Sequence, residues 1–343
     1  MIKYILTIIL FICLSSQAMT LPPAYTPKGV SNMTHKPVAV PYQELRSSDG
    51  QASSRVTNLN PKPLKTNTPG SCLYQAKSQK KINLKDLEKH IGLSDMVYVG
   101  ESHDQIKDHM AQLKALKLLY LTKEDKIAVG FEMLNFTLQP ILDDYAEGKI
   151  TETDFLEKAN WKKEWGFDFN LYKPLFDFVR NKKLKALALN LPKKIVAKIA
   201  RVGIKGLSPE DRKLLPENIH ISTNEKYLDF LKASFENGPM SGMFKFENYL
   251  ASMSAWNEVM GSKMAEFLNE NKKYSGLVIA GNGHVLYNAG IPFSVKTRTK
   301  KLKHASFYTE DTLTCPQKPD IEILEYADFL WFINHKETKT KNQ

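Results

Sequence analysis

The sequence predicts an α/β fold with a mostly parallel sheet flanked by helices and a helical insertion before the strand that carries a Gly-Asn-Gly-His motif. Short apolar segments of strand length alternate with segments whose apolar residues recur at helical spacing, which is typical of a parallel sheet. No hairpin turn signal separates the strand segments. The stretch 208–270 has no strand signal, so we expect a helical insertion there that acts as a lid.

Four apolar runs are predicted as strands, and each is followed by a turn or by polar residues. They occupy residues 96–100, 127–131, 184–189 and 277–280, and late edge strands are expected at 304–308 and 329–333. Helical spacing predicts helices over 104–121, 136–145, 151–159, 172–181 and 192–202. In the first of these helices, the apolar positions are Ile106, Met110, Leu113, Leu116 and Leu119, and we expect His109 to lie on the surface.

Size and composition exclude several classes of protein. The chain has 343 residues, of which 42% are hydrophobic and 25% charged, so it is neither a small disulfide-stapled module, nor wholly disordered, nor a polytopic membrane protein. The formal net charge of +11 suits an acidic partner, such as nucleic acid, anionic lipid or a ligand with carboxylates. The densest basic run, Arg298 to Lys303, comes without a recognition motif, so we expect no nucleic acid partner.

The N-terminus has the pattern of a secretory signal. Lys3 precedes an apolar run over 4–14, and small residues stand at Ser16 and Ala18. We therefore expect residues 1–18 to be cleaved on secretion across the inner membrane, with the protein in the periplasm or at the outer envelope. An uncleaved anchor is the alternative. Residues 19–72 are predicted to be a disordered linker rich in Pro, Ser and Thr, 73–335 the folded domain, and 336–343 a polar tail.

Two cysteines remain after the signal is removed. Cys72 opens the predicted domain and Cys315 lies near its end. In an oxidising compartment, such a pair is a natural candidate for a disulfide. Two unrelated thiols are the alternative, because spacing in the sequence does not establish proximity in space.

Polar side chains follow the predicted strands at the points where the strands end. Glu101 and His103 follow the first strand, Glu132 the second, Asn190 the third and His284 the fourth. The carboxyl ends of parallel strands meet at one edge of a sheet, where ligand sites are built. Glu101, His103, Glu132 and His284 could ligate a divalent metal or act as acid and base on a substrate. Hydrogen-bonded structural histidines are the plainer alternative.

Several segments together resemble the ChaN-like haem-binding proteins of bacterial envelopes, which share a superfamily with Tiki proteases and erythromycin esterases. Order and spacing agree over about residues 90–295. The resembling segments are 97–103, 130–133, Trp161 with 165–169 and Tyr172, 188–192, 206–209, and 278–285 with 290–292. The chain departs from the family pattern at Met253, Asn257 and Gly261, and it lacks a lipid-attachment sequence.

The resemblance implies haem as the ligand, bound at a dimer interface with a tyrosine on the iron. Tyr227 and Tyr249, both in the helical insertion, are the candidates for that ligand, with ordinary core or surface tyrosines as the alternative. We therefore expect a secreted haem-binding protein that serves haem and iron uptake, with a homodimer and an envelope receptor or transporter as further partners. The alternative is a metal-dependent hydrolase of protease or esterase type, built on the His and Glu residues at the strand ends.

Overall fold

Eight strands form one sheet that separates two layers of helices. The computed structural model describes residues 71–238, 241–312 and 315–334. The strands are β1 (Cys72–Gln75), β2 (Lys80–Ile82), β3 (Met96–Val99), β4 (Ile127–Asn135), β5 (Lys185–Asn190), β6 (Ser275–Ile279), β7 (His304–Thr312) and β8 (Phe329–Asn334). Their spatial order is β2-β1-β8-β7-β3-β6-β4-β5.

Eleven helices are described along with these strands. They are α1 (Leu84–Leu93), α2 (Ile106–Lys123), α3 (Gln139–Ala146), α4 (Glu152–Lys158), α5 (Trp161–Glu164), α6 (Phe169–Lys182), α7 (Lys193–Val202), α8 (Pro209–Arg212), α9 (Glu225–Glu236), α10 (Phe246–Glu270) and α11 (Ile291–Arg298). Within the described ranges, no helix combines the length and the apolar character needed to cross a bilayer.

The predicted α/β fold with a mostly parallel sheet is confirmed. Strands β3 to β8 pair in parallel, and β1 pairs antiparallel with both β8 and β2. The prediction that β7 and β8 are edge strands is wrong, because the short hairpin of β1 and β2 adds to β8 and covers it. The same hairpin is the exception to the expected absence of hairpins.

Alternate residues of the central strands face opposite layers, as the pleat of a strand requires. Val97 and Val99 belong to the core beneath the helices that include α2 and α6, whereas Met96 and Tyr98 belong to the core beneath α10 and α11. These central strands are buried on both faces, which explains why their sequences read as continuous apolar runs.

The described residues of the segment 208–270 contain three helices, α8, α9 and α10, and no strand. It is not a lid throughout its length, because the second half of α10 packs Met260, Met264 and Leu268 against the sheet. The first half of α10 packs instead against α9 in a separate aromatic cluster that includes Tyr227, Phe235 and Tyr249.

Cys72 and Cys315 form a disulfide in the structure, with their Cα atoms 5.8 Å apart. The bond joins β1, at the start of the described region, to the segment between β7 and β8. The predicted signal, nearly all of the predicted linker and the polar tail lie outside the described residues.

Candidate functional site

The site lies where strands β3, β4 and β6 reach the same edge of the sheet. Glu101 and His103 follow β3, Glu132 lies within the last half of β4, and His284 follows β6. Gly100 allows the turn after β3 to approach the turn after β6, because a Cβ at this position would lie 2.0 Å from Asn282 Oδ1. The structure thus brings together all four side chains that the sequence predicted for this edge.

Glu101 is the acceptor at the centre of a buried polar network. Its carboxylate accepts from His103 Nδ1 at 2.7 Å, Tyr172 OH at 2.8 Å and Gln112 Nε2 at 2.6 Å, and it lies 3.1 Å from His109 Nδ1. Burial opposes its charge, but His109 and the hydrogen bonds hold the pKa of Glu101 well below its usual value. Glu101 is therefore a fixed anion that orients its neighbours.

His109 lies in this network, and the prediction of a surface position is wrong. Its side chain is buried, and Nε2 contacts the backbone oxygen of His103 at 3.2 Å. Burial disfavours the imidazolium, but the Glu101 carboxylate raises the pKa of His109 to about 9. A protonated ring donates to Glu101 and to the His103 carbonyl at the same time, so the charged form fits both contacts.

The first turns of α2 face the network with polar side chains rather than with the predicted apolar ones. Asp108 is buried and accepts from the Ser102 backbone N–H at 2.8 Å, and burial raises the pKa of Asp108 to about 7. Ile106 and Met110 are each 57% exposed. The helix is rotated in this way because its inward face must supply partners for Glu101.

A second histidine–carboxylate pair faces the first. His284 Nε2 lies 3.3 Å from Glu132 Oε1, and His284 Nδ1 contacts Asn257 Oδ1 at 2.8 Å. Glu132 Oε2 also accepts from the Gly281 backbone N–H at 2.6 Å. Burial opposes the charge on Glu132, but His284 and His103 hold the pKa of that carboxyl below its usual value.

The ring of His103 reaches toward the second pair. A Cβ at Gly281 would lie 3.1 Å from His103 Nε2 and 3.7 Å from Glu132 Oε2, so the bare backbone of Gly281 separates the two side chains. Burial works against a charge on His103, but the bond to Glu101 and the nearby Glu132 raise the pKa of His103. His103 can therefore hold or transfer a proton at Nε2, which lies beside the backbone of Gly281.

Aromatic side chains enclose the two histidines. Trp165 and Phe167 contact the His103 ring with centroids at 4.7 and 5.1 Å, and Trp256 meets the His284 ring edge-on at 5.7 Å. The indole nitrogen of Trp256 is buried and donates to no described residue. These rings exclude water from the cluster and strengthen its electrostatic contacts.

The prediction of a divalent metal at these four residues is not supported. In the part of the chain that the structure describes, no three His, Cys, Asp or Glu side chains are arranged to hold an ion. The physical reason is that the donors are already in use: Glu101 binds His103 and Tyr172, and Glu132 binds Gly281 and His284. The cluster is an internally bonded network of acids and bases.

Tyr227 and Tyr249, the predicted iron ligands, lie inside the aromatic cluster between α9 and α10. They are only 1% and 3% exposed, and burial raises the pKa of Tyr227 and of Tyr249 far above neutrality. Tyr227 OH donates to the Gly283 carbonyl at 2.9 Å and accepts from Asn257 Nδ2 at 3.0 Å. Their role as iron ligands stays a prediction that this packing does not favour.

An open cleft of about 580 Å³ lies between the end of α7 and the start of α10. Val202, Met243 and Phe244 give it apolar walls, and Arg201 and Lys245 bring positive charge. Met243 is 60% exposed, unlike the two buried tyrosines. The cleft therefore combines polar and apolar side chains with positive charge, which suits a ligand that carries acidic groups.

Sequence reasoning did not place Asp108, Gln112 and Tyr172 in the site, and it brought Asn257 near the site only as a departure from the family pattern. One signal could have found the first two: Asp108 and Gln112 are spaced four apart, on the same helical face as the buried Ala115 and Leu119. Polar residues that continue an apolar face at helical spacing indicate a buried polar partner. Tyr172 lies in one of the segments that resemble the family, but no local sequence pattern connects it with Glu101.

The sequence model of the family described as haem-binding uptake, Tiki superfamily, ChaN matches residues 87–295. A solved structure of ChaN from Campylobacter jejuni, described as showing cofacial haem binding, is similar with a TM-score of 0.59 at 20% identity, covering 76% of this chain and 96% of that one. This likeness shows the fold.

Two weaker similarities are also found. An open-conformation mutant of the erythromycin esterase EreC is similar with a TM-score of 0.40 at 12% identity, covering 71% of this chain and 76% of that one. RETICULATA-RELATED 5, a chloroplastic protein of Arabidopsis thaliana, is 22% identical over 261 residues, which cover 69% of this chain. The chain spans about a third of the length of that relative, since the match covers 34% of it.

Proposed function

The chain belongs to the haem-binding uptake family of the Tiki superfamily that includes ChaN, and we propose that it is a secreted haem-binding protein that serves haem and iron uptake in a bacterial envelope. The observation that carries this proposal is the family match, which extends over 87–295 and so includes the strand-end site and the helical insertion. A homodimer and an envelope receptor or transporter are the further partners that we propose.

The cleft between α7 and α10 fits the chemistry of haem. The porphyrin ring is apolar and would pack on Val202 and Phe244, while Lys245 would attract the propionates. Among the residues that line the cleft, Met243 carries a thioether and would be the residue to hold the haem iron. We therefore propose this cleft as the place where haem would be held, although the predicted tyrosines do not line it.

A haemin titration of the chain from about Met19 tests the proposal. We expect a saturable, stoichiometric change in the Soret region, which Met243→Ala weakens. Met110→Ala is the matched control, because Met110 is 57% exposed on α2 and Met243 60% exposed at the cleft. Absorbance that rises linearly without saturation would overturn haem binding. Saturable binding that is equal in both variants would retain haem and reject the cleft.

Secretion and assembly have separate measurements. N-terminal sequencing of the protein from the periplasmic fraction should find a start near Met19, and an intact Met1 would contradict cleavage. Light scattering with and without haemin should show a dimer in the loaded protein if haem lies between two copies. A monomer at saturating haemin would reject that arrangement.

A metal-independent hydrolase is the second candidate function. It is favoured by the orientation of His103, whose Nδ1 contacts Glu101 while Nε2 lies beside the backbone of Gly281. In such a site His103 Nε2 would take a proton from a water that attacks the substrate carbonyl and return it to the leaving group, and Glu132 would stabilise the charged ring. The buried Trp256 indole N–H could donate to a substrate oxygen.

Ester and peptide substrates with fluorescent leaving groups test this candidate in metal-free buffer with chelator. Activity that falls at least about 100-fold in His103→Ala and stays unchanged in His220→Ala would support it. His220 is an exposed histidine that stacks on Phe293, which makes it a suitable control. Activity that both variants retain would show that the network is structural.

A further inference from the structure

The edge of the sheet opposite the site carries most of the net charge of the protein. Five segments lead from a helix into a parallel strand there, namely 93–96, 123–127, 182–185, 270–275 and 298–304. Together they contain eleven Lys and Arg residues and four Asp and Glu residues, a net charge of +7 against +11 for the whole chain. The positive charge is therefore concentrated on one edge.

These segments are neighbours in space, because the strands that they enter are adjacent in the order β5-β4-β6-β3-β7. Five strands at about 4.8 Å spacing give an edge about 19 Å long. Hydrogen bonds connect the segments: Lys303 N donates to Asp95 Oδ2 at 2.9 Å, and Ser275 N donates to the Lys126 carbonyl at 2.9 Å.

Most of the basic side chains on this edge are not neutralised. Lys123, Lys126, Lys185 and Arg298 form ion pairs with Asp95, Asp125, Asp143 and Glu258. The other seven are exposed and form no ion pair with any residue that the structure describes. We call these seven the lysine edge: Lys182, Lys183, Lys272, Lys273, Lys300, Lys301 and Lys303.

Apolar and aromatic side chains accompany the lysines. Leu93 and Leu121, at the ends of α1 and α2, are 55% and 56% exposed. The two helix ends are in contact, since a Cβ at Gly92 would lie 2.7 Å from Thr122. Lys182 lies 5.1 Å from the ring centroid of Tyr120. Exposed leucines beside a tyrosine and lysines without ion pairs are the composition of a surface that meets lipid headgroups.

We propose that the lysine edge docks the domain on a bilayer that contains anionic phospholipids, with the strand-end site facing away from the membrane. The lysines would attract the phosphate groups, and Leu93 and Leu121 would enter the headgroup layer. A nucleic acid explains the charge but not the two exposed leucines. The membrane is thus the partner that matches both observations.

Vesicle co-sedimentation of the full chain tests this docking surface. We expect at least tenfold stronger binding to vesicles with about 30% phosphatidylglycerol than to pure phosphatidylcholine, and weaker binding as salt rises. The triple variant Lys300→Glu, Lys301→Glu, Lys303→Glu should lose at least tenfold in binding. The matched control is Lys158→Glu, Lys162→Glu, Lys163→Glu, three exposed lysines in and around α4 and α5, which should bind as the wild type does.

Three results would overturn the proposal. One is equal binding to both vesicle types, which would assign membrane affinity to the apolar N-terminal segment. Another is equal loss in the test and control variants, which would reflect net charge alone. The last is random-sequence duplex DNA that displaces the protein completely from the vesicles at equal phosphate concentration, which would identify a nucleic acid surface. Unchanged thermal unfolding of both variants confirms that they are folded.

Discussion

His284 Nε2 lies 3.3 Å from Glu132 Oε1, and this contact connects the turn after β6 to the end of β4. The other ring nitrogen of His284 contacts the neutral amide of Asn257, whereas the corresponding nitrogen of His103 contacts the carboxylate of Glu101. The two histidines are therefore held by partners of different charge. The stability of the protein and the protonation of each histidine therefore depend on these different partners.

Glu101→Gln should destabilise the protein by about 3–5 kcal/mol, since it removes one charge of a buried pair. The amide would also place N–H groups against the donors Tyr172 and Gln112, which now contact a carboxylate. Urea unfolding measures the loss as a lower midpoint. Glu88→Gln, on the exposed face of α1, is the control and should change stability by less than about 0.5 kcal/mol. A similar small effect of Glu101→Gln would contradict the network.

The raised pKa of His109 predicts that the free energy of unfolding falls as the pH rises above neutrality. Burial opposes its charge but Glu101 raises its pKa to about 9, above the value of about 6.5 expected in the unfolded chain. Between about pH 6.5 and 9, His109 is therefore protonated in the folded protein and neutral in the unfolded chain. The stabilisation from this group is complete below about pH 6.5 and is lost as the pH rises through 9. Urea midpoints at pH 6, 7, 8 and 9 should fall, and His109→Gln should flatten the decline. An unchanged slope in that variant would assign the decline to other groups.

The raised pKa of Asp108 predicts that the free energy of unfolding also falls as the pH rises, but over a lower pH range. Burial raises its pKa to about 7 from 3.8, so the folded state holds a proton that the unfolded chain has released between these values. Stability from this group is complete below about pH 4 and lost as pH rises through 7. Asp108→Asn should therefore be more stable than the wild type at pH 8, with the gain shrinking toward pH 4. A gain that is equal at both pH values would contradict this assignment.

Glu101, His103 and His284 could be predicted from sequence because each follows an apolar run that ends at a Gly, whereas Glu132 lies inside β4, which continues to Asn135. Gly100 with His103 and Gly281 with His284 show this pattern locally. His109 could not be placed in the same way, since its partner Glu101 becomes its neighbour only when α2 packs on the sheet. The hairpin of β1 and β2 could not be predicted, because β2 (Lys80–Ile82) is three residues long and carries two exposed lysines.

The disulfide should contribute about 2–5 kcal/mol, because it closes a very long loop in the unfolded chain. Cys72 and Cys315 are separated by 243 residues. The variant Cys72→Ser, Cys315→Ser should unfold at lower urea, and dithiothreitol should lower the wild-type midpoint to the same value. The urea midpoint of the double serine variant should be the same with and without dithiothreitol. A reductant effect on the variant would show that the loss does not come from this bond.

The double variant Tyr227→Phe, Tyr249→Phe tests whether these tyrosines bind haem iron or only pack in the core. Tyr227→Phe leaves the Gly283 carbonyl and the Asn257 amide without their phenol partner, which should cost about 1–3 kcal/mol. Burial raises the pKa of both phenols far above neutrality, so neither is ready to bind ferric haem as a tyrosinate. We therefore expect the double variant to unfold at lower urea but to keep the haemin spectrum of the wild type. A spectrum that disappears in the folded double variant would instead make one of these tyrosines the ligand, and would require α9 to move away from α10 when haem binds.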